Sequence, residues 1–221
     1  MIPLIDTNSH FDAVIIAAGD YPSHPIPLSA IGNARMVVCC DGAVATALEH
    51  GVMPDAVVGD GDSLDDNLKE MLADRLHIIS EQDYNDLTKA TRYVVSTLGN
   101  NPSIAYLAAT GKREDHTLGN ISLMRFYHEK LGVVPTMITD HGTFSVAHGN
   151  QSFATVAGQQ VSIFNLTCKN ISGTGLRWAP YPFDMHWQGT LNEALNDQFS
   201  IDADGYYLVF REYYDILGIV V

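Results

Sequence analysis

The sequence predicts an α/β fold: an N-terminal three-layer domain with a mainly parallel sheet, followed by a C-terminal all-β sandwich domain. The 221 residues are enough to bury a full core and to form two unequal domains. Short apolar runs alternate with amphipathic stretches in the first two thirds, as in βαβ units. After Asp140 the pattern changes to short alternating runs separated by Gly, Asn and Asp. We therefore expect domains at residues 1–143 and 144–221.

Six short apolar runs in the first domain are predicted strands, and the stretches between several of them show helical spacing of apolar residues. The predicted strands are 13–18, 36–40, 56–58, 76–79, 104–109 and 133–139. The predicted helices are 43–50, 65–74, 86–98 and 115–131, of which three end at a Gly, a common helix terminator. In the second domain, 160–166 and 206–210 read as strands.

The composition narrows the class of protein. A net charge of −14 argues against non-specific binding of nucleic acid, which is itself a polyanion. No segment approaches the ~20 apolar residues of a membrane helix, so we expect a soluble chain with no membrane partner. The first ten residues lack the features of a secretory signal, and Cys39, Cys40 and Cys168 match neither a disulfide framework nor a zinc spacing. We therefore expect a cytoplasmic protein with reduced cysteines.

Acidic residues follow four of the predicted strands. Asp41 follows the second strand, Asp60 and Asp62 the third, Asp83 the fourth and Asp115 the fifth. Parallel strands present their carboxyl ends at one edge of a sheet, where such folds bind ligands, so these acids should converge. Converging carboxylates repel one another unless a cation neutralises them.

The nature of the donor atoms indicates which cation is expected. The set contains only oxygen and has no matching His or Cys cluster, which favours a hard ion such as Mg²⁺ over zinc. Magnesium sites of this kind commonly complete their coordination with water and substrate phosphates, which points to a nucleotide. An alternative interpretation is turn chemistry alone, because Asp and Gly are common after strands.

Basic residues at two places in the sequence support phosphate binding. Lys112 and Arg113 precede Asp115 in the loop before a predicted helix, and Lys89 lies one helical turn after Asp86. Arg offers a forked contact to phosphate, and Lys offers a point charge. The alternative for Lys89 is a surface ion pair with Asp86 at i, i+3.

The chain resembles the thiamine pyrophosphokinase family in four motifs between residues 36 and 125 and in one later motif. They are CDGA at 40–43, PD at 54–55 leading to GDGDS at 59–63, QDYNDLTK at 82–89, GKREDHTL at 111–118 with Asn120, and GLRW at 175–178. The order and spacing of the motifs together are specific, whereas any one of them would be weak.

The resemblance implies an α/β nucleotide-binding domain, a β-sandwich, a homodimer, and a thiamine site where the two subunits meet. It also implies a Mg²⁺-dependent transfer of a pyrophosphoryl group from ATP to thiamine, which gives thiamine diphosphate and AMP. Such a transfer depends mainly on in-line positioning and on cancellation of phosphate charge.

Each matching acid is expected to have a role in this reaction. Asp60, Asp62 and Asp83 are expected to be metal ligands, directly or through water. Asp86 and Asp115 are expected to be supporting acids. Asp115 is also expected to orient the thiamine hydroxyl or to accept its proton.

The other motif residues are expected to bind the substrates. Arg113 and Lys89 would hold the triphosphate and offset charge in the transition state, and Asp41 with Gly42 would touch the nucleotide. The same motifs supply the remaining expected nucleotide-site residues, Thr88 and Lys112.

Thiamine is expected to stack on Trp178, which offers an aromatic face to a cationic ring, although a core position is the alternative. The family's Ser-x-Ser-Asn stretch is EALN here, at 193–196, so only Asn196 is retained as an expected thiamine contact. His116 is expected to act in acid–base chemistry or in helix capping, and Asn120 to face the same cleft. Trp187 matches no motif and is interpreted as structural.

Two other functions stay open at this stage. One is a Mg²⁺-dependent kinase or pyrophosphokinase for another small alcohol, and the other is a non-catalytic sensor of nucleotide or thiamine on the same fold. A structural protein with acidic turns is a third interpretation, but it leaves Lys89 and Arg113 unexplained.

Overall fold

The structure, a computed structural model, describes residues 1–99 and 101–214. The chain divides into two compact units. One unit, Thr7–Asp140, is called the α/β unit below. The other, called the β unit, combines Met1–Asp6 with the chain from His141 onward. The division between them thus lies three residues before the predicted domain boundary, and the first six residues belong with the second unit.

A parallel sheet forms the centre of the α/β unit. Its spatial order is β6-β5-β1-β2-β3-β4, and every neighbouring pair runs parallel. The β1, β2, β3 and β5 strands are apolar and almost entirely buried, as expected for a sheet covered by helices. The strands are β1 (Ala13–Ile16), β2 (Val37–Cys40), β3 (Ala56–Gly59), β4 (Leu76–Ile78), β5 (Ser103–Leu107) and β6 (Val134–Ile138).

Helices connect the parallel strands and pack on the sheet. Helix α4 contacts β1, β2 and β3, and helix α5 contacts β6. Asn85 caps the start of α4, Asp65 caps α3, and left-handed Gly132 ends α5. The helices are α1 (Pro25–Asn33), α2 (Val44–Glu49), α3 (Asp66–Met71), α4 (Asp86–Leu98) and α5 (Glu114–Leu131), with short 3₁₀ turns at Asp41–Ala43 and Ala73–Arg75.

The six predicted strands and four predicted helices are all present, with small differences at their ends. The fifth strand was predicted to reach residue 109 but ends at Leu107, because Ala108 adopts a left-handed φ of 50° that a strand cannot continue. The helix predicted from residue 43 begins at Val44, after the 3₁₀ turn.

Helix α1 is the α-helix of the α/β unit that the sequence pattern did not predict. Its residues, PIPLSAIGN, include two prolines and lack a charged residue in the first or last turn. The helix starts with Pro25 in its first turn, and the imidazole of His24 accepts the Ile26 amide. Asp140, after β6, accepts hydrogen bonds from the Ser23 and His24 amides. This contact across the sheet edge is invisible in the local sequence.

The β unit consists of two antiparallel sheets. One has the order β11-β9-β13-β7 and the other the order β10-β12-β8. The predicted runs at 160–166 and 206–210 correspond to β9 and β13. The strands are β7 (Gly142–His148), β8 (Gln151–Ala154), β9 (Gln160–Asn165), β10 (Ile171–Thr174), β11 (Asn192–Glu193), β12 (Gln198–Ala203) and β13 (Tyr206–Glu212), and a 3₁₀ turn covers His186–Gly189.

Side chains from both sheets form one core in the β unit. Phe153 of β8 stacks on Phe199 of β12 with ring centroids 4.8 Å apart, and both contact the cluster that contains Ile163 and Val209 of the other sheet. This packing of alternating inward residues is the sandwich architecture predicted from the sequence. None of the helices among the described residues has both the length and the apolarity needed to cross a membrane.

Buried Arg211 ties the first residues of the chain to the β unit. Its side chain is 1% exposed and donates to the carbonyl oxygens of Ala154 at 2.7 Å and Pro3 at 2.8 Å. Ile2 pairs with Phe153 at the outer edge of β8, so the guanidinium holds an added segment against that edge. Burial lowers the pKa of Arg211 to about 10, and the group is still charged at neutral pH.

We expect Arg211→Ala to lower the free energy of unfolding by about 3 kcal/mol, because it leaves buried carbonyl groups without donors and opens a cavity. Urea denaturation measures this loss. Arg125→Ala is the matched control, since Arg125 is partly exposed and pairs with Glu129 at 3.0 Å on the surface of α5. It should cost less than about 1 kcal/mol. Equal losses in the two variants would contradict the role given to Arg211.

Candidate functional site

Three carboxylates meet at the carboxyl ends of β2 and β3. Asp41 directly follows β2, and Asp60 and Asp62 follow β3. Oxygen atoms of the three side chains lie within 4.8 Å of one another, and this group is called the acidic cluster below. Because β2 and β3 pair in parallel, their ends lie at the same edge of the sheet. The predicted convergence is thus present for Asp41, Asp60 and Asp62, whereas Asp83 and Asp115 are not part of this group.

The carboxylates of the cluster have different environments. Asp41 is 2% exposed, and burial raises its pKa, although the amides of Gly61 and Gly42 donate to it at 2.9 and 2.6 Å and oppose that rise. Asp60 lies at the surface and accepts a hydrogen bond from Gln82 at 3.0 Å, which is the main cause that lowers its pKa to about 2. The Asp60 carboxylate is therefore charged at neutral pH.

An ion pair with a buried lysine lies at the start of α4. The Lys89 ammonium contacts the Asp86 carboxylate at 3.2 Å, and the lysine side chain is 2% exposed. The i, i+3 pair is therefore present, with its lysine buried and its aspartate partly exposed. The negative charge of Asp86 contributes to the raised pKa of Asp41, and the positive charge of Lys89 contributes to the lowered pKa of Asp60. The pair thus acts electrostatically on two members of the cluster.

Thr88 has a structural position in the same helical turn. Its hydroxyl lies 2.7 Å from Asn85 Oδ1 and 2.9 Å from the hydroxyl of Tyr127, and the residue is buried. These contacts bind the start of α4 to α5. The expected contact of Thr88 with a nucleotide stays a prediction.

Asp83 lies outside the acidic cluster. Strand β4 ends at Ile78, and the following loop presents Asp83 as an exposed residue whose amide donates to Glu81 at 2.8 Å. The preceding residue, Gln82, is the one that reaches Asp60. Gln82 stands beside Asp83 in the QDYNDLTK motif, which was the available sequence signal for it. The prediction for the metal site used acidic side chains only and therefore missed this neutral donor. The role of Asp83 as a metal ligand stays a prediction.

An exposed ion pair lies in the loop between β5 and α5. Nε and Nη2 of Arg113 donate to the two oxygens of Asp115 at 3.1 and 2.6 Å. This forked contact lowers the pKa of Asp115 to about 2 and raises that of Arg113. The His116 amide donates to Asp115 at 2.9 Å, so His116 contributes through its backbone. Both charged side chains are mostly exposed and available to a ligand.

This loop is fastened to the loop after β1, where the sheet order reverses. The Gly19 amide donates to the Ala108 carbonyl at 2.6 Å, and Lys112 Nζ donates to the Ala18 carbonyl at 2.9 Å. Asn120 of α5 donates to the Ala109 carbonyl at 2.8 Å, so its side chain holds the loop. Ala108 and Lys112 are both left-handed, a conformation that costs energy outside Gly and often occurs at functional sites. Ligands of open α/β sheets bind at such a reversal of strand order.

Trp178 of the β unit is presented as an exposed aromatic face. Its side chain is 56% exposed, which rules out the core position considered from the sequence. The side chain of Asn192 accepts from the Trp178 amide at 3.2 Å and donates to its carbonyl at 2.7 Å. The Arg177 guanidinium lies 5.7 Å from the centre of the indole ring. Sequence reasoning missed Asn192, because a pair of hydrogen bonds across 14 residues has no local signal.

Trp178 and Asn196 line different cavities. Trp178 borders one of about 260 Å³ together with Tyr181 and Leu191. Exposed Asn196 borders another of about 410 Å³, whose wall also includes Thr174 and Ser200. The structure therefore does not bring the two expected thiamine contacts into one pocket of the β unit. Trp187, interpreted as structural, is 69% exposed and is not part of a core.

Two family models match consecutive parts of the chain. Residues 28–134 match the thiamin pyrophosphokinase catalytic domain, and residues 142–210 match the thiamin pyrophosphokinase substrate-binding domain. Together the two matched regions cover most of the sequence. A comparison with curated protein sequences gave no match. The matches give no support to a kinase for another alcohol or to a non-catalytic sensor.

Solved structures of the same description have a similar fold. Thiamin pyrophosphokinase from Candida albicans matches with a TM-score of 0.79 at 17% identity, over 96% of this chain and 92% of that one. The yeast enzyme matches with a TM-score of 0.74 at 14% identity, over 95% and 89%. The Bacillus subtilis structure gives 0.73 at 17% identity, over 90% and 98%. At these identities the likeness shows the fold.

Proposed function

The chain belongs to the thiamin pyrophosphokinase family and is an enzyme of that activity, and we propose that the acidic cluster and the Arg113 loop carry out its reaction. In this proposal a pyrophosphoryl group passes from ATP to the hydroxyethyl oxygen of thiamine, and AMP leaves. The observation that supports it most directly is the convergence of Asp41, Asp60 and Asp62 at the sheet edge that also carries the exposed guanidinium of Arg113.

The donor set of the acidic cluster suits Mg²⁺. All three side chains offer carboxylate oxygens, which are the ligands that this hard cation prefers, and they lie close enough to share one ion. We propose Asp60 and Asp62 as its principal ligands, with Asp41 as the third and Asp83 as a ligand through water. When bound, Mg²⁺ neutralises charge on the polyphosphate oxygens.

Arg113 and Asp115 would exchange partners when substrates bind. The forked guanidinium that now holds Asp115 is matched equally well to a phosphate group of ATP. Release from Arg113 would raise the pKa of Asp115 from about 2 and make it a better acceptor for the proton of the thiamine hydroxyl. Asp115 would thereby orient the nucleophilic oxygen and receive its proton.

The remaining rim residues would position the nucleotide. Lys89 is buried against Asp86, so its charge would offset the acids and the transferring phosphoryl group rather than form an exposed clamp. Gly42 is exposed while Asp41 is buried, so the backbone of Gly42 is the part of that turn able to touch the nucleotide. The remaining candidates for nucleotide contact are Lys112, His116, Asn120 and Thr88.

We propose that thiamine stacks on Trp178. Because Arg177 lies near the indole, the cationic thiazolium would use the opposite face and avoid charge repulsion. Asn196 is a candidate for a hydrogen bond to the substrate. The proposed partner is a second copy of the chain, so that the thiamine site forms where two subunits meet.

A cytoplasmic location is also proposed. It is supported by the three cysteines, which are free and buried and therefore suit a reducing compartment. Fractionation of the source cells tests it.

We expect Asp60→Asn and Asp62→Asn to lower Mg²⁺-dependent formation of AMP and thiamine diphosphate by about 100-fold or more, because each removes a charge that holds the cation. Chromatography of both products, with Mg²⁺ and with a chelator, measures the effect. Asp65→Asn is the matched control, because Asp65 caps α3 through the Leu68 amide and Asn caps equally well. The assignment fails if either cluster variant turns over like the wild type.

We expect Trp178→Ala to raise the KM for thiamine about tenfold and to change the KM for ATP less than twofold, since stacking and cation–π attraction act on thiamine alone. Steady-state kinetics with each substrate varied in turn measures both constants. Trp187→Ala removes another exposed indole, which lies outside the GLRW motif, and serves as the control. A similar rise in both constants would instead indicate a structural role for Trp178.

We expect the purified chain to have twice the mass of the monomer in solution at micromolar concentration. Light scattering coupled to size-exclusion chromatography measures this mass. A monomer that still forms thiamine diphosphate would contradict a site shared between subunits.

A further inference from the structure

The carboxylate of Asp41 is held in a cradle made by two glycines of the neighbouring strand end. Asp41 begins the 3₁₀ turn after β2, whereas Gly59 ends β3 and Gly61 lies two residues beyond it. The buried carboxylate is placed against the backbone of both glycines. The position of one member of the acidic cluster thus depends on a neighbouring strand.

Gly59 provides the space for this carboxylate. A Cβ atom at Gly59 would overlap Cγ of Asp41 and lie 2.6 Å from its Oδ2, which is closer than real contacts allow. The backbone of Gly59 is not left-handed, so any L-residue can adopt its conformation. The absence of a side chain at Gly59 is therefore required by Asp41 and not by the local backbone.

Gly61 provides the hydrogen bond. Its φ of +78° turns its amide towards Asp41 Oδ2, to which it donates at 2.9 Å in a buried position. A Cβ at Gly61 would meet Cδ1 of Ile78 at 2.6 Å. That atom is the end of a flexible, half-exposed side chain, so the conformational requirement outweighs the steric one.

We propose that Gly59 and Gly61 are positioning residues that hold the Asp41 carboxylate within reach of a divalent cation shared with Asp60 and Asp62. This inference rests on the proposed function. Without the cradle, Asp41 would rotate away from the cluster, and the partly exposed Asp60 and the exposed Asp62 would be left to hold the cation. The two glycines act through Asp41 and do not contact substrate themselves.

Direct measurement of cation affinity tests the cradle without relying on turnover. Mn²⁺ serves as the probe, and electron paramagnetic resonance of the free ion gives its Kd for the full-length protein without nucleotide. Gly59→Ala should weaken Mn²⁺ binding about 10- to 100-fold, the range found when a group that orients a metal ligand is lost. Thermal unfolding shows whether the variant is folded.

A double-mutant cycle separates positioning from a general structural effect. Asp41→Ala should weaken Mn²⁺ binding by a similar factor, and adding Gly59→Ala to it should cause no further loss, because the displaced carboxylate is already gone. The proposal is overturned if wild-type protein does not bind Mn²⁺, if Gly59→Ala binds it normally, or if Gly59→Ala weakens binding equally with Asp41 absent.

The Gly61 variants provide an independent test. Gly61→Ala should weaken Mn²⁺ binding about tenfold, whereas Gly61→Asn should recover much of the affinity because Asn tolerates the left-handed conformation. Ile78→Ala alone should leave Mn²⁺ affinity unchanged. Combined with Gly61→Ala, it removes the steric contact, and restoration of affinity in that double variant would contradict the conformational role.

Different results would contradict the proposed reaction and the proposed role of Gly59 and Gly61. If wild-type protein forms no thiamine diphosphate but Gly59→Ala still weakens Mn²⁺ binding, the proposed reaction is wrong and the cradle stands. If turnover is normal while the Gly59 and Gly61 variants bind Mn²⁺ as the wild type does, the reaction stands and the cradle is wrong.

Discussion

The repulsion among carboxylates at one edge of the parallel sheet is the constraint on which the site depends. Asp41, Asp60 and Asp62 are brought together by the pairing of β2 with β3, and like charges at this distance oppose folding unless they are compensated. The protein compensates them with neutral donors and one buried cation. Backbone amides and Gln82 donate to the carboxylates, and the buried Lys89 adds a positive charge from α4. These contacts keep the three carboxylates together without a bound ligand.

The loops at the reversal of strand order use a different form of preparation. Backbone hydrogen bonds join the segments after β1 and β5, and the second segment includes left-handed Ala108 and Lys112. This rigid backbone presents the exposed pair of Arg113 and Asp115 at the start of α5. An exposed ion pair contributes little to stability, so exchange of Arg113 to a phosphate group costs the fold little. Backbone support and a replaceable contact together suit the exchange of partners proposed for Arg113.

In the β unit, too, a fixed backbone carries an exposed side chain, that of Trp178. Asn192 holds the backbone on both sides of the indole, while more than half of the side chain stays exposed. Deeper in the unit, Arg211 uses backbone carbonyl groups as its hydrogen-bond acceptors and fastens the first residues of the chain. The exposed aromatic surface is therefore carried by a scaffold whose rigidity comes from buried polar contacts as well as from apolar packing.

The sequence alone determined the chain order of the six parallel strands and of four helices between them, the change to a β sandwich, and the convergence of Asp41, Asp60 and Asp62, because these follow from local periodicity and from the shared direction of parallel strands. Tertiary structure decided which neighbours completed the site. Asp41 is buried against Gly59, the contact to Asp60 comes from Gln82 and not from Asp83, and Lys89 is buried where a surface pair was considered. Tertiary structure also decided the exposure of Trp187 and the anchoring of helix α1 by Asp140. The direction and burial of a side chain depend on residues distant in the chain, so no local pattern encodes them.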